Sequence, residues 1–295
     1  MGARLRVLRR RIGSVQSTKK ITRAMELISA SRIAKAAQLR VEQAKPYSEQ
    51  MAKVIANLQA AGAGAQHPLL ITPEQTGEVL IVAISADRGL AGAHNANVIR
   101  VAERTYRSEI AKGRNVTMIA VGKKGVSAFR YKGLEVAESY EGLTDVPTYE
   151  GARTVAAEII DRFESGRADA VHLVYTDFIT VGRQVAVSRQ LIPINPDDVS
   201  AADTDSVAAD YEFEPSPSQI LSRLLPAAIE AQVYAALLSA SASEHASRQR
   251  AMKSATDNAE DLIKSLTRDF NQARQAEITT EISEIVGGAE ALKAG

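Results

Sequence analysis

The sequence predicts an α/β protein in which long helices at the two ends of the chain pair as an antiparallel coiled coil and a central segment forms an α/β domain. Three observations predict this fold class. Apolar residues recur at helical spacing near both ends, glycine and proline are rare there, and the middle of the chain alternates between strand-like and helix-like runs. With 295 residues and 45% hydrophobic content, the chain is long enough to bury a core of its own.

The first predicted element is a helix over residues 1–60, with Pro46 as its only internal breaker. Its first apolar residues follow three- and four-residue steps: Leu5, Leu8, Ile12 and Val15. Farther along, the apolar residues change face: Ile21, Met25, Ile28, then Leu27, Ala30, Ala34, Ala37, Val41 and Ala44. We therefore expect the apolar stripe to move around the helix, so that one regular partner cannot cover all of it.

The start of the chain is strongly basic, with eleven Lys and Arg against the single acid Glu26 in the first 40 residues. An organelle transit peptide has such a composition, and Met1 and Gly2 fit the start of a myristoylation signal. Arg6 stands where that signal needs Ser or Thr, and the helical spacing continues downstream without a break. We favour a helix of the folded protein over both targeting readings.

The central segment contains four β-rich runs, which read EVLIVAIS, NVTMIAV, DAVHLVYTDF and QVAVSRQLIPI. Helical stretches are predicted near Asn95 to Lys112 and Tyr149 to Glu164. This alternation predicts a Rossmann-like α/β domain over residues 75–195 with largely parallel strands. Residues 196–217 are predicted to be a connector, because Asn195 to Glu214 holds seven acids and no Lys or Arg.

The second long helix is predicted over residues 218–287, interrupted only by Pro226 and ended by Gly287 and Gly288. From Ala227 on, about 60 residues at roughly 1.5 Å each would span on the order of 90 Å. That length exceeds a compact domain of this size, which is why we expect the helix to pair with the one at the other end of the chain.

The coiled-coil seam of this helix is weak. With Ala228 as the first core position, the a positions are Ala228, Ala235, Ala242, Gln249, Thr256, Ile263, Phe270 and Glu277. The d positions are Ala231, Leu238, His245, Met252, Ala259, Leu266, Ala273 and Thr280. Six alanines in place of leucine forfeit about 2 kcal/mol each, or roughly 12 kcal/mol together. The seam alone is therefore not expected to hold the pair.

The outer faces of the same helix are polar and carry Arg248, Lys253, Asp257, Asn258, Lys264, Arg268, Arg274 and Gln275. One reading of these residues is a solvated helix face. The length of the helix and its weak seam favour a second reading, in which a sleeve of other chains surrounds it.

Composition argues against several other classes of protein. The chain has no cysteine and only four histidines, which leaves no thiolate chemistry and little for a metal site. No run approaches the roughly 18 consecutive apolar residues of a membrane span. A DNA-binding zipper protein is disfavoured by the central domain, the weak seam and an aromatic content of 4%.

A nucleotide-binding enzyme is the remaining alternative, since the central segment is α/β. Gly89 and Gly92 form G-x-x-G rather than a dinucleotide-binding fingerprint, and the VGKKG stretch has Lys124 where a P-loop needs Ser or Thr. His94 with Asn95 and Asp87 could be drawn as an acid–base set, but a loop histidine without a companion is more often solvated. We predict no catalytic, cofactor-binding or metal-binding residues.

Three separated stretches resemble the gamma subunit family of F-type ATP synthases. They are RIGSVQSTKKITRAMELISASRIAKA (Arg11 to Ala36), SADRGLAGAHNAN (Ser85 to Asn97), and ASRQRAMKSATDNAEDLI with RQAEITTEISEIVGGAEA (246–263 and 274–291). The tail matches the family pattern at Ile278, Thr279, Glu281, Glu284, Gly288 and Ala289. Ala91 stands where many relatives have cysteine, a departure that does not affect the resemblance.

The resemblance implies a non-catalytic rotor. The paired terminal helices would form a shaft inside a ring of three alpha and three beta subunits, and the central domain would form a foot on the c-ring beside the epsilon subunit. Contact with the membrane would run only through the c-ring, at the cytoplasmic face of a bacterial plasma membrane, with no nucleic acid and no cofactor. The residues that it points to as contacts with the ring are Arg274, Gln275, Arg248, Met25 and Arg88.

Overall fold

The computed structural model describes residues 3–39, 47, 50, 51, 54, 55, 58, 67–70, 77–194 and 216–293. The helices in this part of the chain are α1 (Ala3–Leu39), α2 (His94–Ala111), α3 (Lys123–Tyr131), α4 (Tyr149–Glu164) and α5 (Pro217–Lys293), with a short 3-10 turn at Pro68–Leu70. The strands are β1 (Glu78–Ile84), β2 (Asn115–Val121), β3 (Val136–Tyr140), β4 (Ala170–Phe178) and β5 (Gln184–Ile192). Residues 30–247 form one compact unit, the central unit, and residues 1–29 with 248–295 form a second, the helix-pair unit.

The central unit is built on a five-stranded sheet in the order β3-β2-β1-β4-β5. The first four strands are parallel, and only the edge strand β5 runs antiparallel to its neighbour β4. The α/β class is confirmed, and the four strands predicted from apolar runs are present. Strand β3 and the short helix α3 before it were not predicted.

Helices cover both faces of this sheet, because β1 in its middle has apolar residues on both sides. Helices α2 and α3 lie on one face, where Val98 and Phe129 pack against alternate residues of β1 and β2. Helix α4 and the start of α5 cover the other face. The residues of α5 that enter this core recur every four positions: Leu221, Leu225, Ile229, Val233 and Leu237.

The first 31 residues of α5, from Pro217 to Ser247, thus belong to the central unit. The helix continues through Pro226 without a break, and it passes Gly287 and Gly288, where the sequence predicted its end. Its segment Ser218–Ala289 is long and apolar enough, by length and composition alone, to cross a membrane. Since 61% of the most apolar window is buried inside the protein, α5 is a core helix in that window.

Two predicted segments fall largely outside the described residues. Of the predicted connector 196–217, only residues 216 and 217 are described. Beyond Leu39, the described residues of the first predicted helix are helical, and Met51, Ile55 and Leu58 are buried in the core on the α4 side of the sheet. The four-part division of the chain stays a prediction.

Glu109 near the end of α2 is a buried carboxylate of the central unit. Lys112 Nζ lies 2.6 Å from one of its oxygens and Arg114 Nη1 lies 3.1 Å from the other. Burial by itself raises the pKa of Glu109, but the hydrogen bond from Lys112 and the positive charges nearby outweigh burial and hold the pKa below its usual range.

We expect Glu109→Gln to lower the free energy of unfolding by about 1–2 kcal/mol at neutral pH, because both cations lose their charged partner. Because the folded-state pKa is lowered, the stabilisation by Glu109 is present above the ordinary pKa and is lost as pH falls through the folded value. Urea unfolding of the full chain at several pH values measures this. Glu150→Gln is the control, since Glu150 is exposed and pairs only loosely with Arg153 at 3.8 Å. An equal loss in both variants would contradict the prediction.

Candidate functional site

The helix-pair unit joins α1 and α5 as an antiparallel pair. Thr22 Oγ1 lies 2.8 Å from Thr256 Oγ1, and Lys19 Nζ donates to Glu260 at 2.9 Å. Farther along, the guanidinium of Arg9 lies 5.6 Å from the centre of the Phe270 ring. The a and d positions assigned from the sequence are the shielded positions of α5 in this unit, with Met252, Thr256, Ala259 and Leu266 buried. The predicted antiparallel coiled coil is confirmed.

The shielded face of α1 does not follow the apolar stripe, and the expectation that one partner helix leaves part of this stripe uncovered is confirmed. The shielded residues of α1 keep strict three- and four-residue steps: Leu5, Leu8, Ile12, Val15, Lys19, Thr22, Glu26 and Ser29. The apolar residues Ile21, Leu27 and Ile28 lie outside this row and are 61%, 57% and 57% exposed. The middle of α1 is therefore inverted, with polar side chains toward its partner helix and apolar side chains away from it.

Polar residues can occupy this seam because each has a partner. Thr22 Oγ1 and Thr256 Oγ1 lie within hydrogen-bonding distance of each other, and each lies near a backbone carbonyl of its own helix, so one hydroxyl donates to the other, which donates to its carbonyl. Glu26 accepts two hydrogen bonds from Arg23. A satisfied polar layer costs little, but it adds less to stability than apolar burial would. The middle of the helix pair thus contributes less to stability than an apolar seam of the same length would.

We expect the substitutions Thr22→Val and Thr256→Val to be strongly non-additive. Either valine alone removes the hydrogen bond across the seam and changes the free energy of unfolding by less than about 1 kcal/mol, because the remaining hydroxyl keeps its carbonyl partner. Both together place two methyl groups face to face and raise stability by about 1 kcal/mol. A double-mutant cycle measured by thermal unfolding checks this, and a double variant less stable than either single variant would refute it.

The end of α5 has no counterpart on α1 within the described residues. Since Arg9 lies level with Phe270, the first described residue of α1, Ala3, lies level with about residue 276. Helix α5 continues from there to Lys293. Its last turns expose four large apolar side chains: Ile278, Ile282, Ile285 and Val286. With five others they form the exposed apolar set of the helix-pair unit, which comprises Val7, Ile21, Leu27, Ile28, Leu262, Ile278, Ile282, Ile285 and Val286.

Four of the five residues predicted to contact a ring lie in the helix-pair unit, and the fifth, Arg88, lies in the central unit. Arg274 and Gln275 are exposed on α5, and Met25 is half-buried on α1. Arg248 is only 6% exposed, so its expected position on an outer face was wrong. It lies 26 residues before Arg274 on the same helix, about 39 Å along the axis. These side chains are spread along a rod and are not arranged around a reacting atom.

Arg88 belongs to the central unit, in the loop after β1. Its side chain is 68% exposed and lies 3.5 Å from Asp145. These two residues line an open cleft of about 470 Å³ at the carboxyl edge of the sheet, together with Asp87, Lys123, Glu141 and Gly142. Among the residues that the structure describes, no group of three or more His, Asp and Glu side chains is placed to hold a metal ion.

The carboxylate of Asp87 in this cleft is already used by the protein. It accepts hydrogen bonds from the backbone N–H groups of Lys123 and Gly142 at 3.2 and 3.0 Å, and from the hydroxyl of Thr144 at 2.9 Å. These bonds hold together the loops that follow β1, β2 and β3. Asp87 is thus a structural tie between loops and a poor candidate for acid–base chemistry.

His94 differs from its predicted place. It is the first residue of α2 and is buried, whereas the sequence favoured a solvated loop position. Its neighbour Asn95 accepts a hydrogen bond from the backbone N–H of Ala86, which fixes the loop after β1. The acid–base set of His94, Asn95 and Asp87 is therefore a set of structural contacts.

The glycines of the VGKKG stretch also have a structural reason. Gly122 has φ +96°, and a Cβ on it would lie 2.3 Å from the carbonyl oxygen of Ser85. A Cβ on Gly125 would lie 2.7 Å from the Ser85 hydroxyl, which accepts a hydrogen bond from the Gly125 N–H at 2.8 Å. These glycines let α3 approach β1 closely, so a phosphate-binding loop is not needed to explain them.

Comparison with known proteins gives consistent results over the whole chain. A family model described as ATP synthase matches residues 4–292. The ATP synthase gamma chain of Streptomyces coelicolor is 44% identical, covering 99% of this chain and 97% of the relative. That of Frankia casuarinae is 46% identical, covering 100% of both.

Similar solved structures agree with these results at the level of the fold. A chain from the Euglena gracilis mitochondrial ATP synthase (OSCP/F1/c-ring, rotational state 3) superposes with a TM-score of 0.71 at 18% identity, covering 100% of this chain and 96% of that chain. A chain from the Tetrahymena thermophila mitochondrial ATP synthase (central stalk and c-ring) gives a TM-score of 0.58 at 23% identity, covering 80% of this chain and 99% of that chain.

Proposed function

We propose, from the premise that the chain belongs to the ATP synthase gamma chain family, that it is the central-stalk rotor of a bacterial ATP synthase. The observation that carries the proposal is the helix-pair unit, which has a polar seam and a row of exposed apolar side chains on α1. A helix pair of this kind is completed by contacts with other chains, because its own seam leaves the apolar side chains uncovered.

The mechanism that we propose is conformational. A ring of three alpha and three beta subunits around an asymmetric rod meets a different face of the rod at each beta subunit, so three identical sites differ in nucleotide affinity at any moment. Each orientation of the rod favours one pattern of open and closed sites. Rotation driven by a c-ring would therefore drive ATP synthesis, and ATP hydrolysis would drive rotation in reverse.

The surface of the helix pair suits a part that must turn. The exposed apolar residues of α1 lie among exposed charged residues such as Lys20 and Arg23, so each offers only a limited contact area. Many weak contacts can be exchanged one at a time during rotation, whereas one large buried patch would hold a single orientation. The nine exposed apolar residues described on the two helices are the contacts with the ring that we propose.

Membership of the gamma chain family also supports a proposal for the catalytic role, the partners and the location of the chain. The chain would be non-catalytic, in keeping with a cleft whose Asp87 carboxylate serves backbone groups. Its partners would be the alpha and beta subunits around the helix pair, and the epsilon subunit and the c-ring at the central unit. It would lie at the cytoplasmic face of the plasma membrane and touch the bilayer only through the c-ring.

Reconstitution tests this function directly. The purified full chain is expected to hydrolyse no ATP by itself, and alpha and beta subunits mixed with it are expected to give a hydrolysing complex with one copy of this chain per three beta subunits. ATP hydrolysis should rotate a probe attached to the central unit. Hydrolysis by the chain alone, or a complex in which the attached probe stays still, would overturn the proposal.

We expect Arg274→Ala with Gln275→Ala to impair ATP synthesis in the assembled complex without unfolding the chain, because both side chains are exposed on α5. Loss of about two polar contacts with the ring predicts a roughly 5- to 30-fold lower rate of coupled synthesis. Asp257→Ala with Asn258→Ala, an exposed pair on the same helix, serves as the control. Normal ATP synthesis in complexes that carry both changes would count against the role of these two residues.

A further inference from the structure

Helix α5 changes its mode of attachment at the carboxyl edge of the sheet. From Leu221 to Leu237 it is held by apolar side chains that fit against the sheet and α4. Beyond Leu237, three serines at four-residue spacing occupy the face toward the edge of the sheet: Ser239, Ser243 and Ser247. Each makes a hydrogen bond to a different part of that edge.

The three serines bond to the ends of two parallel strands. Ser239 donates to the Asp177 carboxylate at 3.0 Å and accepts from the Phe178 N–H at 2.8 Å. Ser243 donates to the carbonyl of Thr176 at 3.2 Å, also at the end of β4. Ser247 donates at 2.6 Å to the carbonyl of Ala91, in the loop that follows β1.

A third loop of the same edge contacts both long helices through Asp145. Asp145, in the loop after β3, lies 2.9 Å from Nη1 of Arg32 on α1. That contact is an ion pair by distance and does not meet hydrogen-bond geometry. On the other side, Asp145 lies 3.8 Å from the buried ring of His245 on α5. The loop is fixed in turn by Asp87, which accepts from Thr144.

We propose that Ser239, Ser243, Ser247 and Asp145 form a torsional clamp, which prevents α1 and α5 from turning against the sheet of the central unit. The hydrophobic attraction that buries the apolar side chains of these helices has no preferred direction. Hydrogen bonds lose strength steeply with angle and therefore resist such a turn. The clamp makes these four residues positioning residues for rotary coupling, and this inference rests on the proposed function.

The clamp lies beside an apolar cluster that would by itself resist turning only weakly. In the part of the chain that the structure describes, α1 enters a small apolar cluster at this edge, formed by Ile33, Ala36 and Ala37 with Phe178, Ala242 and Ala246. Alanine contributes little area to such a contact, so it offers little resistance to rolling. The directional bonds of the clamp surround this cluster and supply the resistance that it lacks.

The test uses membrane vesicles that contain the assembled complex, with two variants of the clamp. One carries Ser243→Ala with Ser247→Ala, and the other carries Asp145→Asn. Each hydrogen bond or ion pair shifts a local opening equilibrium by about five-fold. We therefore expect ATP hydrolysis to stay within about two-fold of the unmutated complex, while ATP-driven proton pumping per ATP falls about five-fold or more.

Two control variants distinguish the effect of the clamp from a general effect of substitution on folding or assembly. Ser222→Ala removes an exposed serine of α5 that bonds only to its own helix, and Asp161→Asn removes an exposed carboxylate that pairs with Arg167 at the opposite edge of the sheet. Both are expected to pump normally. Asp145→Glu keeps the charge and should restore most of the pumping lost in Asp145→Asn. If Asp145 served folding alone, two variants of equal stability would pump equally.

The outcomes distinguish the clamp from the proposed function. If the unmutated complex pumps protons and both clamp variants pump as well per ATP, the clamp is overturned and the rotor function stands. If the unmutated complex does not couple hydrolysis to pumping, the rotor function itself fails. Should a variant not assemble, hydrogen exchange in the full chain decides: faster exchange confined to residues 239–247 supports the clamp, and unchanged or uniformly faster exchange overturns it.

Discussion

Helix α5 has to satisfy two environments with one sequence, and most of the structure follows from that constraint. Its first part is a core element of the central unit, with Leu221, Leu225 and Ile229 buried against the sheet. Its later part is one strand of a coiled coil whose shielded positions include Thr256 and Ala259. The change from large apolar to small and polar shielded residues thus occurs within one continuous helix.

The weak seam and the exposed apolar side chains of the helix pair are two aspects of one arrangement. Placing Lys19 and Thr22 toward α5 puts Ile21 and Ile28 on the outside. A chain optimised as an isolated coiled coil would have the opposite arrangement, since apolar residues at the seam give the greater stability. In the rotor function that we propose, this sacrifice of stability leaves the helix pair with apolar contacts for the chains around it.

The sequence predicted those parts of the fold that local patterns determine. Long apolar runs gave β1, β2, β4 and β5, and α4 begins and ends at the predicted residues. Strand β3 was missed because it is a five-residue edge strand with exposed positions and no apolar run. The seam of α1 was assigned wrongly in its middle because hydropathy treats Lys19 as an outer residue. Its partner Glu260 is 241 residues away, and only the folded pair brings them together.

The candidate site was less predictable than the fold, because its residues are also defined by partners far away in the sequence. Arg274 and Gln275 were found through a resemblance, and nothing local distinguishes them from other exposed residues of a helix. The four-residue spacing of Ser239, Ser243 and Ser247 was visible in the sequence, but small polar residues at helical spacing have no meaning until their acceptors are known. Asp145 carries no signal at all, because its partners come from three distant parts of the chain.

The free end of α5 has a thermodynamic consequence. From Ile278 to Lys293 it continues for 16 residues beyond the level of Ala3, the first described residue of α1, and isolated helices of that length are marginal in water. Several of its hydroxyls, including those of Thr279 and Ser283, bond to their own backbone and bring no outside support. Any chain that encloses this end must therefore spend part of its binding free energy on ordering it. The affinity of such a chain for the end of α5 is then lower than the exposed isoleucines suggest, so the contact between them stays reversible even where the fit is close.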